Sequence, residues 1–299
     1  MIGSKARAAA VSVASNSLLI ALKIAAGAIT GSIAIITEAA HSGIDLVASV
    51  IALISVRKAD EPPDREHPYG HEKVENLAAA IEGMLILVGA AIIVYEATRR
   101  LVVGASVEHL GVGIAVVAAS AIANLAVSAY LGRRARQHGS AALAGDAAHL
   151  RADVLTSLGV VVGLVLVKIT GDAVFDPIAA LIVAAAIVFA GLRILTGSSR
   201  VLVDEAPPPE ELDRIEAAIA AARPPQMVGY HALRARRAGV RRYIDLHVQF
   251  RSGTTLEDAH ALAHRLRDAI AAEIPNSDVL IHVEPQEAAR AGSGPLRSG

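Results

Sequence analysis

The sequence predicts an α-helical membrane protein with six transmembrane helices, followed by a small C-terminal α+β domain. Of its 299 residues 54% are hydrophobic, and the mean hydropathy of +0.49 is too high for an ordinary soluble protein. The apolar residues form long segments in the first two thirds of the chain. A linker with three consecutive prolines then leads into a more polar region with the short periodic patterns of strands and amphipathic helices.

The predicted membrane domain covers residues 1–203. A transmembrane helix needs about 20 mainly apolar residues to cross the hydrocarbon of a bilayer. Segments of this kind lie near 8–29, 32–56, 76–98, 110–132, 143–169 and 175–196. Lys5 and Arg7 precede the first segment as in a signal peptide, but its apolar run is longer than a signal peptide's. We therefore predict a retained first helix.

Lysine and arginine in the short connections predict the orientation. They are concentrated in the N-terminal residues, the 57–73 loop and the 133–140 turn. The connections on the opposite side, at 30–32, 99–108 and 170–176, have fewer of them. Because cytoplasmic loops are enriched in basic residues, we expect both termini in the cytoplasm.

Residues 204–287 are predicted to form a separate domain after the "VLVDEAPPPEE" linker. Its patterns give the order helix, strand, strand, helix, strand, and such an αββαβ unit can close as a small sheet with two helices packed on one face. The tail, residues 288–299, is rich in small and polar residues and is predicted to be disordered.

Two apolar segments each contain a histidine and an aspartate, which are energetically costly to place inside a membrane. "AAHSGID" places His41 and Asp45 one helical turn apart, and "AAHLRAD" does the same with His149 and Asp153. The chain has no cysteine, so a metal must be held by nitrogen and oxygen. Two imidazoles and two carboxylates are a closed tetrahedral set suited to zinc. Alternatively, each pair packs inward as a structural hydrogen bond.

Other polar residues of the spans have weaker signals. Asn16 and Asn124 either line the same bundle interior or hold helices together. The charged residues Lys23, Glu38, Glu82 and Glu96 are expected to snorkel, to pair, or to line the cytoplasmic approach.

The 57–73 loop contains a second set of candidate ligands. In "DREHPYGH", Asp64, His67 and His71 can converge on one ion because Pro68 and Gly70 bend the chain between the histidines. The alternative is a polar loop that only holds the helix ends apart. The following "HEKVE" has Glu75 where the HExxH motif of zinc proteases needs histidine, which excludes that class of enzyme.

Strand alternation predicts a third cluster in the C-terminal domain. In "YIDLHVQF" the apolar residues share one face, which leaves His247 on the other, and in "VLIHVEP" His282 and Glu284 lie side by side opposite the apolar residues. Surface histidines without a metal are the alternative, because they are common on small sheets.

Three motifs and the C-terminal pattern resemble the cation diffusion facilitators, which are divalent-metal/proton antiporters. These motifs are "TEAAHSGIDLVAS", "HPYGHEKVENLAA" and "DAAHLRADVLTSLGV". The resemblance implies a homodimer with six helices per protomer, an intramembrane metal site, and a ferredoxin-like cytoplasmic domain. Its bacterial members imply an inner-membrane location.

The resemblance also implies which residues bind metal. The transport site would consist of His41, Asp45, His149 and Asp153. A zinc site would lie in the loop at Asp64, His67 and His71. A binuclear cytoplasmic site would consist of His231, His247, His260, His282 and Glu284. Lys73 and Asp204 match an interface salt bridge of the family.

Two of these positions depart from relatives. Glu284 stands where a relative has aspartate. Many bacterial members have aspartate in place of His41, whereas eukaryotic vesicular zinc transporters have histidine, and this histidine is expected to favour zinc over Cd²⁺ or Mn²⁺.

The sequence thus favours a transporter that exports Zn²⁺ in exchange for H⁺ by alternating access. A membrane-anchored metal sensor or scaffold is the first alternative, and Fe²⁺, Co²⁺ or Cd²⁺ as the physiological ion is the second. The expected partners are a second copy of the chain, the lipid bilayer and protons as counter-ion, without nucleic acid. An enzyme is not expected, because a metalloenzyme needs an open coordination position and a nearby base.

Overall fold

The computed structural model describes residues 2–30, 33–103 and 111–286. The chain divides into two compact units, one before Val201 and one from Val201 onwards. The predicted boundary after residue 203 lies close to this division and, as a statement about domains, stays a prediction.

Long helices form the first unit. They are α1 (Ile2–Thr30), α2 (Ile33–Ala59), α3 (Lys73–Val103), α4 (Gly111–His138), α5 (Ala141–Thr170) and α6 (Phe175–Leu202). Each lies on one of the predicted apolar segments. The helices extend past those segments, for example at the end of α4, because polar residues such as Arg133 and Arg136 also form helix while hydropathy detects only the part suited to lipid.

Among the described residues, four helices are long and apolar enough to cross a membrane: α1, α3, α5 and α6. The remaining two, α2 and α4, have 27 and 28 residues, so they have the length of a span. Polar and basic residues, such as Arg57 and Lys58 in the last turn of α2, lower the mean hydropathy of these two helices. A helical domain with apolar spans is therefore confirmed, and six spans stay a prediction.

Small residues allow the helices of this unit to pack closely. The buried core between α1, α2, α3, α4 and α5 is dominated by alanine, including Ala8, Ala52, Ala78 and Ala142. At the contact of α3 with α6, a Cβ atom at Gly83 would lie 2.9 Å from the backbone nitrogen of Leu195. Close approach of this kind is how helices associate where lipid removes the hydrophobic driving force.

Ion pairs connect the helices at one end of the bundle, which we call the Lys5 end. Lys5 Nζ lies 2.8 Å from Asp60 Oδ1 and 2.9 Å from Glu75 Oε1, which joins α1 to the end of α2 and the start of α3. Ser140 donates a hydrogen bond to Glu75 and accepts one from the Leu143 backbone N–H at 3.3 Å as the N-cap of α5.

The second unit contains α7 (Pro209–Ala221), β1 (Met227–Ala238), β2 (Arg241–Phe250), α8 (Leu256–Glu273) and β3 (Ser277–Pro285). The predicted αββαβ order is confirmed. The sheet order is β1-β2-β3, with β1 antiparallel and β3 parallel to β2, so α8 forms the crossover between β2 and β3.

The predicted alternation of β2 is also confirmed. Ile244, Leu246, Val248 and Phe250 are buried on one face, where they pack with residues of α7 and α8 such as Ile219. His247 lies on the opposite face at half-burial. The hydrophobic core thus leaves the other face of the sheet available for polar side chains.

Candidate metal-binding sites

The first candidate site lies inside the helical bundle, between α2 and α5. His149 Nε2 lies 3.1 Å from Asp45 Oδ1, and one ligand atom from each of Asp45, His149 and Asp153 lies within 4.8 Å of the others. Asp45 is 6% exposed and His149 is 7% exposed. The structure therefore brings together three of the four residues predicted for the transport site.

The fourth residue, His41, lies one turn before Asp45 in α2. Its side chain is outside the part of the chain that the structure describes, so its role stays a prediction. Asn16 is buried in α1, and its side-chain amide donates to the Asp45 carbonyl oxygen at 3.4 Å and to Ser49 Oγ at 2.8 Å. Asn124 is also buried, at 8% exposure. Both asparagines are thus buried, and the bonds of Asn16 also join α1 to α2, so both alternatives stay predictions.

Two buried carboxylates lie beside this site. Asp146 precedes His149 by three residues in α5, and its Oδ1 accepts a hydrogen bond from Ser49 Oγ at 3.1 Å. Glu82 of α3 packs against α5, because a Cβ atom at Gly145 would lie 3.2 Å from the Glu82 Cβ atom. Asp146 was not among the predicted ligands, although its spacing of i, i+3 from His149 places both residues on one face of α5.

The second candidate site lies in the loop between α2 and α3. Asp64 Oδ1 accepts hydrogen bonds from the backbone N–H groups of His67 at 2.6 Å and Glu66 at 2.9 Å. The other carboxylate oxygen lies 3.3 Å from His71 Nε2, and the two histidine rings are 4.5 Å apart. Gly70 turns the chain between them with φ of 90°, which suits glycine. The three predicted residues therefore converge.

Hydrogen bonds favour the ionised form of the Asp64 carboxylate in the loop. The hydrogen bond from the His67 backbone N–H is the main reason that the pKa of Asp64 lies below its usual value, and partial desolvation opposes this shift only in part. An ionised carboxylate and two imidazoles are a donor set that fits zinc.

The third candidate site crosses the sheet of the C-terminal unit. The strand register places His231 of β1 opposite His247 of β2, and His247 opposite His282 of β3. Glu284 Oε2 lies 2.8 Å from His231 Nε2, and Glu284 Oε1 lies 2.7 Å from His247 Nδ1. One glutamate therefore bridges the histidines of two strands.

The remaining predicted residues of this site lie at different distances from it. His282 Nε2 is 3.6 Å from Glu284 Oε1, and its ring lies 4.7 Å from the ring of His247, at the edge of the cluster. His260 is exposed on α8, and the structure places its ring 4.3 Å from His264. Within the described residues, the tight group therefore consists of His231, His247 and Glu284.

The predicted salt bridge between Lys73 and Asp204 connects residues of different units. Lys73 begins α3, and Asp204 follows α6 with φ of 59°. Within the second unit, Arg236 Nη1 donates to both carboxylate oxygens of Asp204 at 3.2 Å. The Lys73 pair stays a prediction.

All three sites combine imidazole nitrogen with carboxylate oxygen, a donor set that suits borderline divalent cations such as zinc. The first is buried in a bundle of long apolar helices, where ionisable residues are costly and usually functional. Such a combination is typical of the class of integral membrane proteins that handle divalent metal ions.

Comparisons with known proteins place the chain more narrowly. Residues 9–203 match the cation efflux transmembrane domain, and residues 207–286 match the cytoplasmic domain of cation efflux proteins. An uncharacterized transporter of Synechocystis is 35% identical over 89% of this chain and 86% of its own length. The cation-efflux pump FieF of Klebsiella pneumoniae is 32% identical over 93% of this chain and 92% of its own length.

Two solved structures are also similar to a part of the chain. A zinc form of the putative zinc transporter CzrB is 38% identical, with a TM-score of 0.27, and covers 28% of this chain and 94% of its own. The metal-bound C-terminal domain of the CzcD transporter from Thermotoga maritima is 30% identical, with a TM-score of 0.24, and covers 25% and 87%.

The chain belongs to the cation diffusion facilitator family. It is therefore an integral membrane protein and a transporter for the efflux of divalent metal cations, not an enzyme. Its C-terminal unit belongs to a family of dimerisation domains, which indicates that the chain dimerises.

Proposed function

We propose that the chain exports Zn²⁺ from the cytoplasm in exchange for protons, as a homodimer with six spans per protomer. The convergence of Asp45, His149 and Asp153 within 4.8 Å inside the bundle is the observation that supports this proposal. We place it in a bacterial inner membrane with both termini in the cytoplasm, because the basic residues of the short loops favour this orientation.

Zinc is the proposed ion because of the donor set. Together with His41, the three residues would supply two imidazoles and two carboxylates, which complete a tetrahedral site and balance the charge of Zn²⁺. Fe²⁺, Co²⁺ and Cd²⁺ are the competing ions, because affinity series alone do not separate divalent metals.

Competition between zinc and protons couples the two fluxes. Zinc binds deprotonated imidazole and carboxylate, so loading the site expels protons and protonation expels the metal. The ligands lie on α2 and α5, which are the middle helices of the first and the second group of three. This arrangement suits two inverted repeats that rock around a central site and expose it to one side at a time.

The loop and sheet clusters would then be regulatory zinc sites. The donor sets Asp64, His67 and His71, and His231, His247 and Glu284, both fit zinc. A metal that binds one conformation of the dimer more tightly shifts the protein towards that conformation. Lys73 and Asp204 would form an ion pair at the dimer interface.

Zinc flux into proteoliposomes tests the proposal. Asp153→Ala should reduce the initial rate at least about tenfold, because losing one ligand costs more than about 1.4 kcal/mol of binding, while the protein still elutes as a folded dimer. Asp268→Ala, on the exposed surface of α8, should transport like the parent. Equal fluxes for Asp153→Ala and the parent would reject the assignment of the site.

The same vesicles test the ion and the counter-ion. A pH-sensitive dye should report proton movement opposite to zinc, and Zn²⁺ should be transported faster than Fe²⁺, Co²⁺ or Cd²⁺ at equal concentration. Zinc flux with no pH change would reject proton exchange. Absence of both signals in the parent would favour a membrane-anchored metal sensor.

A further inference from the structure

Glu82 and Asp146 form an unusual buried group, which we call the carboxylate pair. Both residues are 0% exposed. Among the described residues, neither oxygen of Glu82 has a hydrogen-bond partner, and Asp146 Oδ2 has none either. The pair therefore presents three carboxylate oxygens whose bonding capacity the protein does not use.

The carboxylate pair lies about one helical turn from the His149 site. Glu82 packs against Gly145, which precedes His149 by four residues, and Asp146 bonds Ser49, which follows Asp45 by four residues. One turn of helix is about 5.4 Å. In both α2 and α5 the shift is towards the Lys5 end, because Ser49 is nearer the end of α2 and Gly145 nearer the start of α5.

The two carboxylates act on each other and on the metal site. The charges of Asp146, His149, Asp153 and Asp45 all influence Glu82 electrostatically. Within the described residues, no lysine or arginine makes an ion pair with the carboxylate pair, and Lys5 is bound to Asp60 and Glu75 instead. No described side-chain cation therefore balances the charge that this group carries when it is ionised.

Leaving such groups without a partner is costly. A buried polar group without a hydrogen bond costs roughly 2–7 kcal/mol on transfer scales, and a buried unpaired charge costs more. Structural hydrogen bonding from the described part of the chain does not relieve this cost at Glu82, because both of its oxygens lack partners there. Two ionised carboxylates together carry a charge equal and opposite to that of a divalent cation. Binding one such cation would therefore reduce the cost of burying them.

We propose that the carboxylate pair is a second, transient binding site for the transported divalent cation, between the Lys5 end and the His149 site. We call this binding site the second stop. This inference rests on the proposed function, since it concerns the route to the same transport site. The Ser49 hydroxyl holds Asp146 Oδ1 and leaves Oδ2 for the ion. With Glu82, the stop offers oxygen donors alone, which suit a cation that keeps part of its water shell.

This arrangement divides dehydration into two steps. The cation exchanges some waters for carboxylate oxygens at the carboxylate pair and then meets imidazole at His149. The oxygen-only stop discriminates weakly among divalent ions, whereas the His149 site selects borderline metals such as zinc. Losing the stop should therefore weaken loading more than it slows the step that follows.

Kinetics of the full chain in proteoliposomes provide the first test. With zinc on the side of the Lys5 end, Glu82→Gln should raise the concentration for half-maximal flux about tenfold and change the maximal flux by less than about twofold. Glu96→Gln is the matched control, because Glu96 lies on the same helix, has a side chain that is 40% exposed, and pairs with Arg100 within that helix. It should leave both parameters unchanged.

Binding of Mn²⁺, measured by electron paramagnetic resonance, provides the second test. In full-length protein with Asp153→Ala, adding Glu82→Gln should remove one bound Mn²⁺ per protomer, because oxygen ligands suit this ion. Asp146→Asn should have the same effect on both binding and kinetics. It serves as an independent variant if the glutamine variant fails to elute as a folded dimer.

The outcomes separate this proposal from the proposed function. Absence of zinc flux in the parent would reject the proposed function itself. A transporting parent with unchanged half-saturation and unchanged Mn²⁺ stoichiometry in both variants would reject only the second stop. A shifted pH dependence without either change would assign the carboxylate pair to protons alone and would also overturn the proposal.

Discussion

Glu284 is the residue on which the sheet cluster depends. Each of its oxygens contacts a different histidine, and these contacts join β3 to β1 and β2. The hydrogen bond with His231 is the main reason that the pKa of Glu284 lies below its usual value; burial opposes the shift, and the bond with His247 adds to it. The carboxylate is therefore ionised at neutral pH and is ready to bind a cation.

Removing this carboxylate should weaken the site more than removing any nearby surface charge. We expect Glu284→Ala to lower the zinc affinity of the sheet cluster at least about tenfold, since even residues that only orient ligands contribute 10–100-fold. Glu284→Asp should retain part of the affinity.

Zinc titration of the detergent-solubilised protein, followed by calorimetry, measures this effect. The control is Glu257→Ala, because Glu257 is exposed in the first turn of α8. Unchanged zinc stoichiometry and affinity in Glu284→Ala would show that the cluster does not bind the metal.

Glu211 predicts a pH dependence of stability in the C-terminal unit. Its burial raises the pKa, but hydrogen bonds from Arg237 and Arg242 outweigh this effect and hold the pKa below its usual value. A lowered folded-state pKa stabilises the fold above the unfolded-state pKa, and the stabilisation is lost as the pH falls through the folded-state value. We expect Glu211→Gln to lower the free energy of unfolding by about 1–3 kcal/mol at pH 7.

Urea unfolding of a fragment that begins at Val201 checks this expectation, because this unit has its own hydrophobic core. The difference between parent and variant should shrink below about pH 4. The exposed neighbour Glu210 supplies the control Glu210→Gln. A difference that stays constant from pH 7 to pH 3 would contradict the role of ionised Glu211.

Local sequence patterns predict the positions of some site residues and not of others. The period of two in β3 was sufficient to place His282 and Glu284 on one face. The position of His231 was harder, because the register between β1 and β2 shifts between His231 and Arg234, and Ala232 has φ of 51°. A local pattern does not report such an irregularity. Asp146 was missed because its partners lie on other helices.

Contacts between elements depend on glycine where α3 meets α6. A Cβ atom at Gly83 would lie 2.9 Å from the Leu195 backbone nitrogen and 3.2 Å from the Gly191 carbonyl oxygen. Backbone atoms cannot rotate away, so the two helices would have to separate.

Gly83→Ala should therefore destabilise the bundle by about 1–3 kcal/mol, the usual cost of overpacking. Gly89→Ala is the matched control on the same helix, because a Cβ atom there would meet nothing within 4 Å. The control should be neutral or slightly stabilising, since alanine favours helix over glycine. Thermal unfolding in detergent compares them, and equal midpoints would contradict close packing at Gly83.

At the level of elements, the sequence predicted well what depends on local periodicity. Continuous apolar segments located the long helices of the first unit. Alternation located β2 and β3, because each of these strands has one apolar face. The meeting of Glu82 with Gly145 depends instead on how α3 crosses α5, and no single segment contains that information.

For the whole molecule, the number and direction of the spans determine which end of the bundle faces the cytoplasm. The parent chain has no cysteine, so single introduced cysteines report the side of the membrane without background. With six spans and cytoplasmic termini, Gln137→Cys should face the cytoplasm, and Asp172→Cys should face the outside.

An impermeant maleimide should therefore label Asp172→Cys in intact cells and Gln137→Cys only after permeabilisation. Zinc transport by both variants confirms that they are folded. Labelling of both positions from the same side would rule out the predicted arrangement of α5, which connects them.

The sheet cluster also has a consequence for how the protein is made. Its three closest residues, His231, His247 and Glu284, come from β1, β2 and β3. Such distant contacts form late, because the intervening chain must first be ordered. During synthesis β3 emerges after the long helices and after β1 and β2. A metal ion held by all three residues would therefore mark a chain in which β3 has been synthesised and has joined the sheet.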